Sequence, residues 1–262
     1  MISAIAELDL WNRRWSLLAY CAGMGLYALV VVALYPAFEH SSSLDTMIRS
    51  DRTAAALFGV TGSLSSSAGW LNGNIYTNFY PLVMLLIAIG YGAAAIAGQD
   101  EDGTLCLIAT LPASRRRLAL GKVGALAAQA TALAAIVAAC VIAGRWFDLT
   151  TSPARVLATS AAVLVLGIDF GLIAMALGAL TGRRGPALGL AAAFAAASYL
   201  ISSLAPVVSW IAPARYASLF YWSVGDNQLA GGVSPADWAV LIGVGALAAY
   251  LALRAFARLD LH

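Results

Sequence analysis

Charged side chains are scarce in this sequence: Asp, Glu, Lys and Arg make up 11% of its 262 residues, whereas a soluble domain carries about 25%. Hydrophobic residues make up 61%, and the mean hydropathy is +0.84. Together these values exclude an ordinary soluble domain and predict an all-α integral membrane protein in contact with the lipid membrane. The net charge of +2 is too small to favour nucleic acid as a partner.

Residues that build metal sites and hydrolytic centres are also few. Both histidines lie outside the long apolar runs, and Cys21, Cys106 and Cys140 lack metal-ligand spacing. The sequence has no HExxH or GxSxG motif, and Gly121-Lys122 lacks the upstream glycine and the following Ser or Thr of a P-loop. We therefore expect no catalytic residues, no metal and no cofactor in this chain, which is not an enzyme by itself.

Six apolar runs reach the roughly 20 residues that are needed to cross a bilayer. They predict a single transmembrane domain over 1–262. Small residues spaced as in the pairs Gly167–Gly171 and Gly185–Gly189 favour close helix packing in lipid. The predicted spans are near 16–36, 79–98, 118–144, 156–180, 187–210 and 237–257.

The distribution of basic residues predicts the orientation. If the N-terminus is inside, the inner segments carry ten Lys and Arg residues and the outer segments carry five. The positive-inside rule then predicts that both termini are cytoplasmic and that the protein is multi-pass in the cytoplasmic (inner) membrane.

Three segments outside the spans have their own patterns. Residues 1–15 place Trp11 and Trp15 on one helical face, which predicts an interfacial helix lying flat before the first span; a frayed terminus is the alternative. The outer segment 37–78 is rich in Ser, Gly and Asn, and we expect short capping helices in it. The outer segment 211–236 contains an aromatic piece that is too short to span, which indicates a short re-entrant or interfacial helix before the last span.

Asp169 is an acid near the middle of the fourth predicted span. A carboxylate at that depth is costly, so it should face the bundle interior or a wet cavity. Two interpretations stay open. Asp169 either contacts a substrate or cation, or it is a neutral acid that holds helices together by hydrogen bonds.

The most polar stretch, residues 98–122, lies between the second and third predicted spans. Three acids come first, then Gly-Thr, an apolar run that Thr104 can cap, and Pro112, which would end a helix. The basic residues that follow are expected at the lipid headgroups in any topology. These membrane-interface residues are Arg115, Arg116, Arg117 and Lys122.

This order of elements resembles the permease subunit of type-2 ATP-binding-cassette exporters, and the long first outer loop is similar to their antibiotic and multidrug branch. The resemblance implies that 99–117 is a cytoplasmic coupling segment that docks on a separate nucleotide-binding ATPase subunit, where ATP and Mg²⁺ would bind. Cys106 departs from the family, because many members have an acid there. The residues to which the resemblance assigns this docking role are Asp100, Glu101, Asp102, Gly103, Thr104, Leu105 and Pro112.

The resemblance also implies that six spans are half of a transporter. A second copy or a related permease would complete the pathway, with the second and fifth spans along the seam. Candidate pathway residues are then Tyr91 and Tyr199, together with Asp169, in a wall that suits a hydrophobic or amphipathic substrate.

Two other functions remain open on the residues alone. One is a secondary transporter driven by protons through Asp169. The other is a non-transporting membrane protein, such as a scaffold or an immunity-type subunit.

Overall fold

The computed structural model describes residues 2–38, 66–98, 101 and 115–257. Within these ranges the chain is helical without strands, and six helices are long and apolar enough to cross a membrane. The predicted all-α integral membrane fold is confirmed. The helices are α1 (Ile2–Phe38), α2 (Ser67–Gly98), α3 (Arg115–Ala143), α4 (Pro153–Thr181), α5 (Arg184–Leu204) and α6 (Pro235–Ala257).

Helix α4 is the centre of the bundle and packs against α2, α3, α5 and α6. Glycines permit the closest approach, because a Cβ at Gly92 of α2 would collide with the carbonyl oxygen of Gly171 in α4. A Cβ at Gly167 would likewise collide with the Met84 side chain. The close packing expected at Gly167 and Gly171 is confirmed, whereas a Cβ at Gly185 or Gly189 would meet no described atom within 4 Å.

Helix α1 covers both the predicted interfacial helix and the first predicted span, with no break between them. A single helix of 37 residues runs from Ile2 to Phe38, which corresponds to about 55 Å at 1.5 Å per residue. Trp11 and Trp15 are 66% and 74% exposed, as an outward apolar face requires, and residues 2–15 are continuous with the rest of the helix. The rest of α1 packs along α3.

Helix α2 begins further out than its apolar run indicated. Residues 67–78, which were expected in an outer segment, form its first turns, including a π-helical stretch over Asn72–Phe79. Polar residues enter this helix because their side chains find partners there: the Asn74 amide donates to the Trp70 carbonyl, and Tyr76 hydrogen-bonds Ser160. Residues 39–65 of the expected outer segment lie outside the described ranges.

Helix α5 ends at Leu204, before Pro206, rather than near residue 210. The connection to α6 contains three short helical turns in place of one re-entrant helix: Ala212–Ala217, Tyr221–Gly225 and Gln228–Gly231. Leu219 and Phe220 of this connection are buried in the bundle core.

An exposed cluster of one cation and aromatic rings occupies the surface of this connection. The Arg215 guanidinium lies 4.8 Å from the ring centre of Tyr216 and 5.2 Å from that of Tyr221. It also donates a 2.7 Å hydrogen bond to the Tyr216 hydroxyl, which raises the pKa of Arg215 and keeps it charged. Arginine and aromatic side chains of this kind are typical of the membrane–water interface.

Contacts between helix ends show that both ends of the described chain lie on the same side of the bundle. Ala6 and Leu10 of α1 pack in a cluster with Leu118 of α3 and with Ala255 and Phe256 of α6. The coupling segment begins and ends on this side, which we call the coupling end.

Candidate functional site

A cavity of about 800 Å³ lies between α2 and α5. Its walls come from one stripe on each helix, with residues three or four apart, and the connection after α5 contributes Phe220. The stripe on α2 includes Leu82, Leu86 and Ile89; that on α5 includes Leu188, Ala192 and Ala196. The cavity is open at the surface of the helix bundle, where Leu82 and Leu86 are each 56% exposed.

One side of this cavity is polar. The Tyr199 hydroxyl donates a 2.9 Å hydrogen bond to Oδ1 of Asn78, which joins α5 to α2 across the cavity wall. Asn74 lies one turn further along the same face of α2. Phe220 packs edge-on against the Tyr199 ring, with 5.4 Å between ring centres. The cavity is therefore mainly apolar with a small hydrogen-bonding region, a lining that is typical of sites for hydrophobic or amphipathic ligands.

The two tyrosines expected on the pathway lie in different places. Tyr199 lines the cavity, on the same stripe of α5 as Ala192 and Ala196. Tyr91 does not: it is 2% exposed and faces α1 and α3. The reason is helical periodicity, because Tyr91 lies about 100° around α2 from Gly90, which does line the cavity.

Asp169 lies inside the bundle, away from the cavity lining. Its side chain is fully buried, and neither carboxylate oxygen has a hydrogen-bond partner among the described residues. The carboxyl group packs directly against Gly245 of α6, where a Cβ would collide with Oδ1. A carboxyl group that is buried without a partner is favoured in the neutral, protonated form.

A buried polar cluster at the coupling end joins three helices through a single carboxylate. Oδ2 of Asp9 in α1 accepts a 2.7 Å hydrogen bond from the Tyr91 hydroxyl of α2. The same oxygen lies 3.3 Å from Nζ of Lys122 in α3. The Arg13 guanidinium lies 5.2 Å from the ring centre of Tyr91. We call Asp9, Tyr91 and Lys122 the Asp9 clamp, because Asp9 holds together the two helices that carry the coupling segment.

The clamp shows where the Lys122 side chain lies within the bundle. It is 1% exposed and ion-paired with Asp9, rather than on the bundle surface. Removing one partner of a buried ion pair destabilises a protein by about 3–5 kcal/mol, because the remaining charge is then buried alone. Arg117 is exposed, as a membrane-interface residue should be; Arg115 and Arg116 begin α3, but their side chains lie outside the described ones.

Glu101 is the residue of the expected docking set that the structure describes. Its Oε1 accepts a 3.0 Å hydrogen bond from the backbone amide of Arg184, the first residue of α5. Glu101 therefore contacts the helix that forms one wall of the cavity. The other members of the set, Asp100, Asp102 to Leu105 and Pro112, lie outside the described ranges.

Asp9 was not among the predicted site residues, yet its side chain is 8% exposed and lies at the centre of the clamp. One signal was present, since Asp9 interrupts the basic residues expected before a first span. Its partner Lys122 is 113 residues away, and no local pattern joins the two.

Among the described residues, no group of three or more His, Cys, Asp or Glu side chains is placed to hold a metal ion. The candidate functional features of the described residues are the apolar cavity, the Asp9 clamp and the contact of Glu101 with the start of α5.

Comparison with known proteins identifies the family. Residues 4–261 match the family described as ABC-2 family transporter protein, which is nearly the whole chain. A search of curated proteins found no match. With its six apolar helices, this multi-pass membrane protein belongs to the ABC-2 transporter family.

Proposed function

We propose that this chain is the membrane-spanning subunit of an ATP-driven exporter, with ATP hydrolysed by a separate nucleotide-binding subunit. The observation that carries the proposal is the cavity between α2 and α5, together with the coupling segment that begins where α2 ends. Family membership supports a transport role. The exporter direction and the antibiotic or multidrug branch come from the resemblance of 98–122 and of the first outer loop.

The substrate class follows from the cavity lining. Leucine, alanine and phenylalanine side chains form most of the wall, and no charged residue lines it among those the structure describes. A charged substrate would lose its hydration there without a compensating partner. A hydrophobic or amphipathic substrate with a neutral hydrogen-bonding group fits both the wall and the Tyr199–Asn78 region.

A second permease copy, identical or related, would close the open side of the cavity. This proposal rests on the exposed stripe of α2, where Leu82 and Leu86 face outward beside the cavity. The seam expected between second and fifth spans would then run along this cavity.

Orientation follows from the charges at the two ends of the bundle. Arg13, Arg14, Arg117, Arg184 and Arg254 belong to the coupling end, in keeping with a cytoplasmic location for both termini. ATP is cytoplasmic, so a docking segment on this side is where a nucleotide-binding subunit can reach it.

Proton-coupled transport through Asp169 is the second candidate. Its supporting observation is a buried carboxyl group without a described partner. Against it, Asp169 lies outside the cavity lining, and no titratable side chain lines the cavity other than Tyr199. A proton site that drives transport must change affinity at the substrate site, and the described link between them is indirect, through Phe170, whose ring centre lies 6.3 Å from that of Phe220.

Docking is tested by purifying the tagged chain from its native membrane and measuring whether a P-loop ATPase is recovered with it. We expect the ATPase to be recovered with the native chain and lost with Asp102→Arg, which reverses charge in the coupling segment. Asp226→Arg is the matched control, because Asp226 is an exposed acid in the connection before α6, at the opposite end of the bundle. Equal recovery with both variants would contradict docking through the segment.

A further inference from the structure

Glu101 belongs to the predicted docking set, yet its carboxylate contacts Arg184 of its own chain. We propose that Glu101 is a positioning residue that joins the coupling segment to α5, so that displacement of the segment moves α5 relative to α2 and reshapes the cavity between them. This inference rests on the proposed function, because a partner ATPase must displace the segment.

The contact is made at the N-terminus of α5, where a carboxylate is favoured. The first amides of a helix have no partner within the helix, and the helix dipole attracts negative charge. Arg183 precedes α5 in an extended conformation, with φ −133° and ψ 127°, and its side chain does not cap the helix. Oε1 of Glu101 supplies an acceptor for the Arg184 amide at 3.0 Å.

Small residues behind this contact bring three helices together without long side chains between them. A Cβ at Gly178 of α4 would lie 3.5 Å from Ala97 Cβ of α2 and 3.8 Å from Ala187 Cβ of α5. At Gly98, a Cβ would lie 3.4 Å from the Arg184 side chain. Close backbone packing of this kind transmits displacement, because few rotatable side chains can absorb it.

The Asp9 clamp determines which helix moves. The clamp is buried and includes an ion pair, so α1, α2 and α3 form a frame that resists separation. The Glu101–Arg184 hydrogen bond is exposed, and water can replace either partner. Helix α5 is not held by the clamp, so when the segment shifts we expect α5 to follow Glu101.

Helix α5 carries the displacement directly into the cavity. It is continuous from Arg184 to Leu204, about 30 Å at 1.5 Å per residue. Leu188 lies one turn from the Glu101 contact, and Tyr199 lies four turns from it on the cavity stripe. A tilt of α5 at its Arg184 end thus changes the distance between the α2 wall and the α5 wall of the cavity.

The donor amide can be removed without touching Glu101. Arg184 is the first residue of α5, a position that tolerates proline, and Arg183 already has the extended conformation that a residue before proline prefers. Arg184→Pro therefore deletes the N–H that Glu101 accepts from, while Arg184→Ala keeps it and removes the same charge. Glu101→Ala and Glu101→Gln form the second pair, because glutamine retains an acceptor oxygen.

The readout is the distance between α2 and α5, measured by pulsed electron resonance in nanodiscs with the co-purifying ATPase. The native cysteines are replaced, and spin labels are placed at the exposed positions Leu82 and Leu190. A second pair at Leu18 and Leu120 reports the α1–α3 frame. Each sample is measured without nucleotide and after trapping with MgATP and vanadate.

We expect trapping to shift the α2–α5 distance in the native protein, in Arg184→Ala and in Glu101→Gln. Most of the shift should be lost in Arg184→Pro and in Glu101→Ala, with the ATPase still bound and the α1–α3 distance unchanged. Glu7→Ala is the control for an exposed glutamate on the same side of the bundle, and it should behave as the native chain.

Two results would overturn the inference alone. A full shift in Arg184→Pro would show that the hydrogen bond transmits nothing, and loss of the ATPase in Glu101→Ala would make the carboxylate a docking contact. A native chain that recovers no ATPase and shows no shift would overturn the proposed function, and this inference with it.

Discussion

Asp9 and Lys122 form a buried ion pair across 113 residues of sequence, with Nζ of Lys122 3.3 Å from Oδ2 of Asp9. The same oxygen accepts the Tyr91 hydrogen bond. One acid in the first helix therefore fixes the spacing of α2 and α3, between which the coupling segment lies. The clamp thus ties together the helix that precedes the predicted coupling segment and the helix that follows it.

Loss of the Lys122 charge should destabilise the protein strongly. Lys122→Met removes the ion-pair partner of Asp9 while the Tyr91 hydrogen bond remains, and breaking a buried ion pair costs about 3–5 kcal/mol. Arg117→Met removes an exposed charge from the same helix and should change stability little. The measurement is the apparent melting temperature of the purified protein in one detergent, followed by fluorescence-detected gel filtration.

The double variant Asp9→Asn/Lys122→Met should regain much of the stability lost in Lys122→Met, because no unpaired charge then remains buried. If Lys122→Met melts at the same temperature as Arg117→Met, Lys122 is at the headgroups and the clamp is not a structural element.

Cavity volume should control transport without affecting ATPase binding. Ala192→Trp adds a large side chain to the α5 stripe that lines the cavity, and we expect it to lower export several-fold. Ala193 is also exposed but does not line the cavity, so Ala193→Trp is the matched control. Export of a fluorescent hydrophobic dye from cells measures the effect; equal export by the two variants would contradict a pathway through this cavity.

The polar region of the cavity should determine substrate preference. Tyr199→Phe removes the hydrogen bond to Asn78 and keeps the ring packed on Phe220. A hydrogen bond contributes about 0.5–1.5 kcal/mol. A substrate group that bonds the Tyr199 hydroxyl would lose that contribution, so we expect up to about a tenfold loss for substrates that bear a hydrogen-bonding group. Purely apolar dyes should be exported as before, and an equal loss for both kinds of dye would indicate a structural effect only.

Asp169 should be replaceable by a neutral isostere. Asp169→Asn keeps the size of a protonated carboxyl group, so ATP-driven export should persist at close to the native rate. Gly245→Ala should be far more damaging, because a Cβ would collide with the Asp169 carboxyl group and push α6 away from α4. Protein yield and melting temperature separate the two variants, and loss of export in a well-folded Asp169→Asn would favour the proton-coupled alternative.

The apolar runs were sufficient to predict six spans, because each crossing must present about 20 apolar residues to lipid. They did not predict the start of α2, because Asn72, Asn74 and Asn78 interrupt the apolar run there. These amides are accommodated in a helix because the side chains of Asn74 and Asn78 donate to backbone carbonyls of the preceding turn, and Tyr199 of α5 donates to Asn78. The bonds to the preceding turn are local, whereas Tyr199 is 121 residues away and leaves no local trace in the sequence.

Site residues were harder to predict than the fold. Tyr199 was placed on the pathway from the resemblance, and periodicity along α5 keeps it on the cavity stripe. The contacts of Tyr91 and Lys122 could not be predicted without knowing which residue of α1 would face them. Asp9 supplies that face, and only the packing of α1 against α2 and α3 brings it there.

The energy source is the most direct test of the account. Export of a hydrophobic fluorescent dye is measured in proteoliposomes that contain the native chain and its co-purifying ATPase, with MgATP present and with the proton gradient collapsed by an uncoupler. For an ATP-driven exporter we expect ATP-dependent dye movement that survives the uncoupler and Asp169→Asn. This movement should be lost when the ATPase is omitted. Dye movement that needs no ATP and stops with the uncoupler would contradict it.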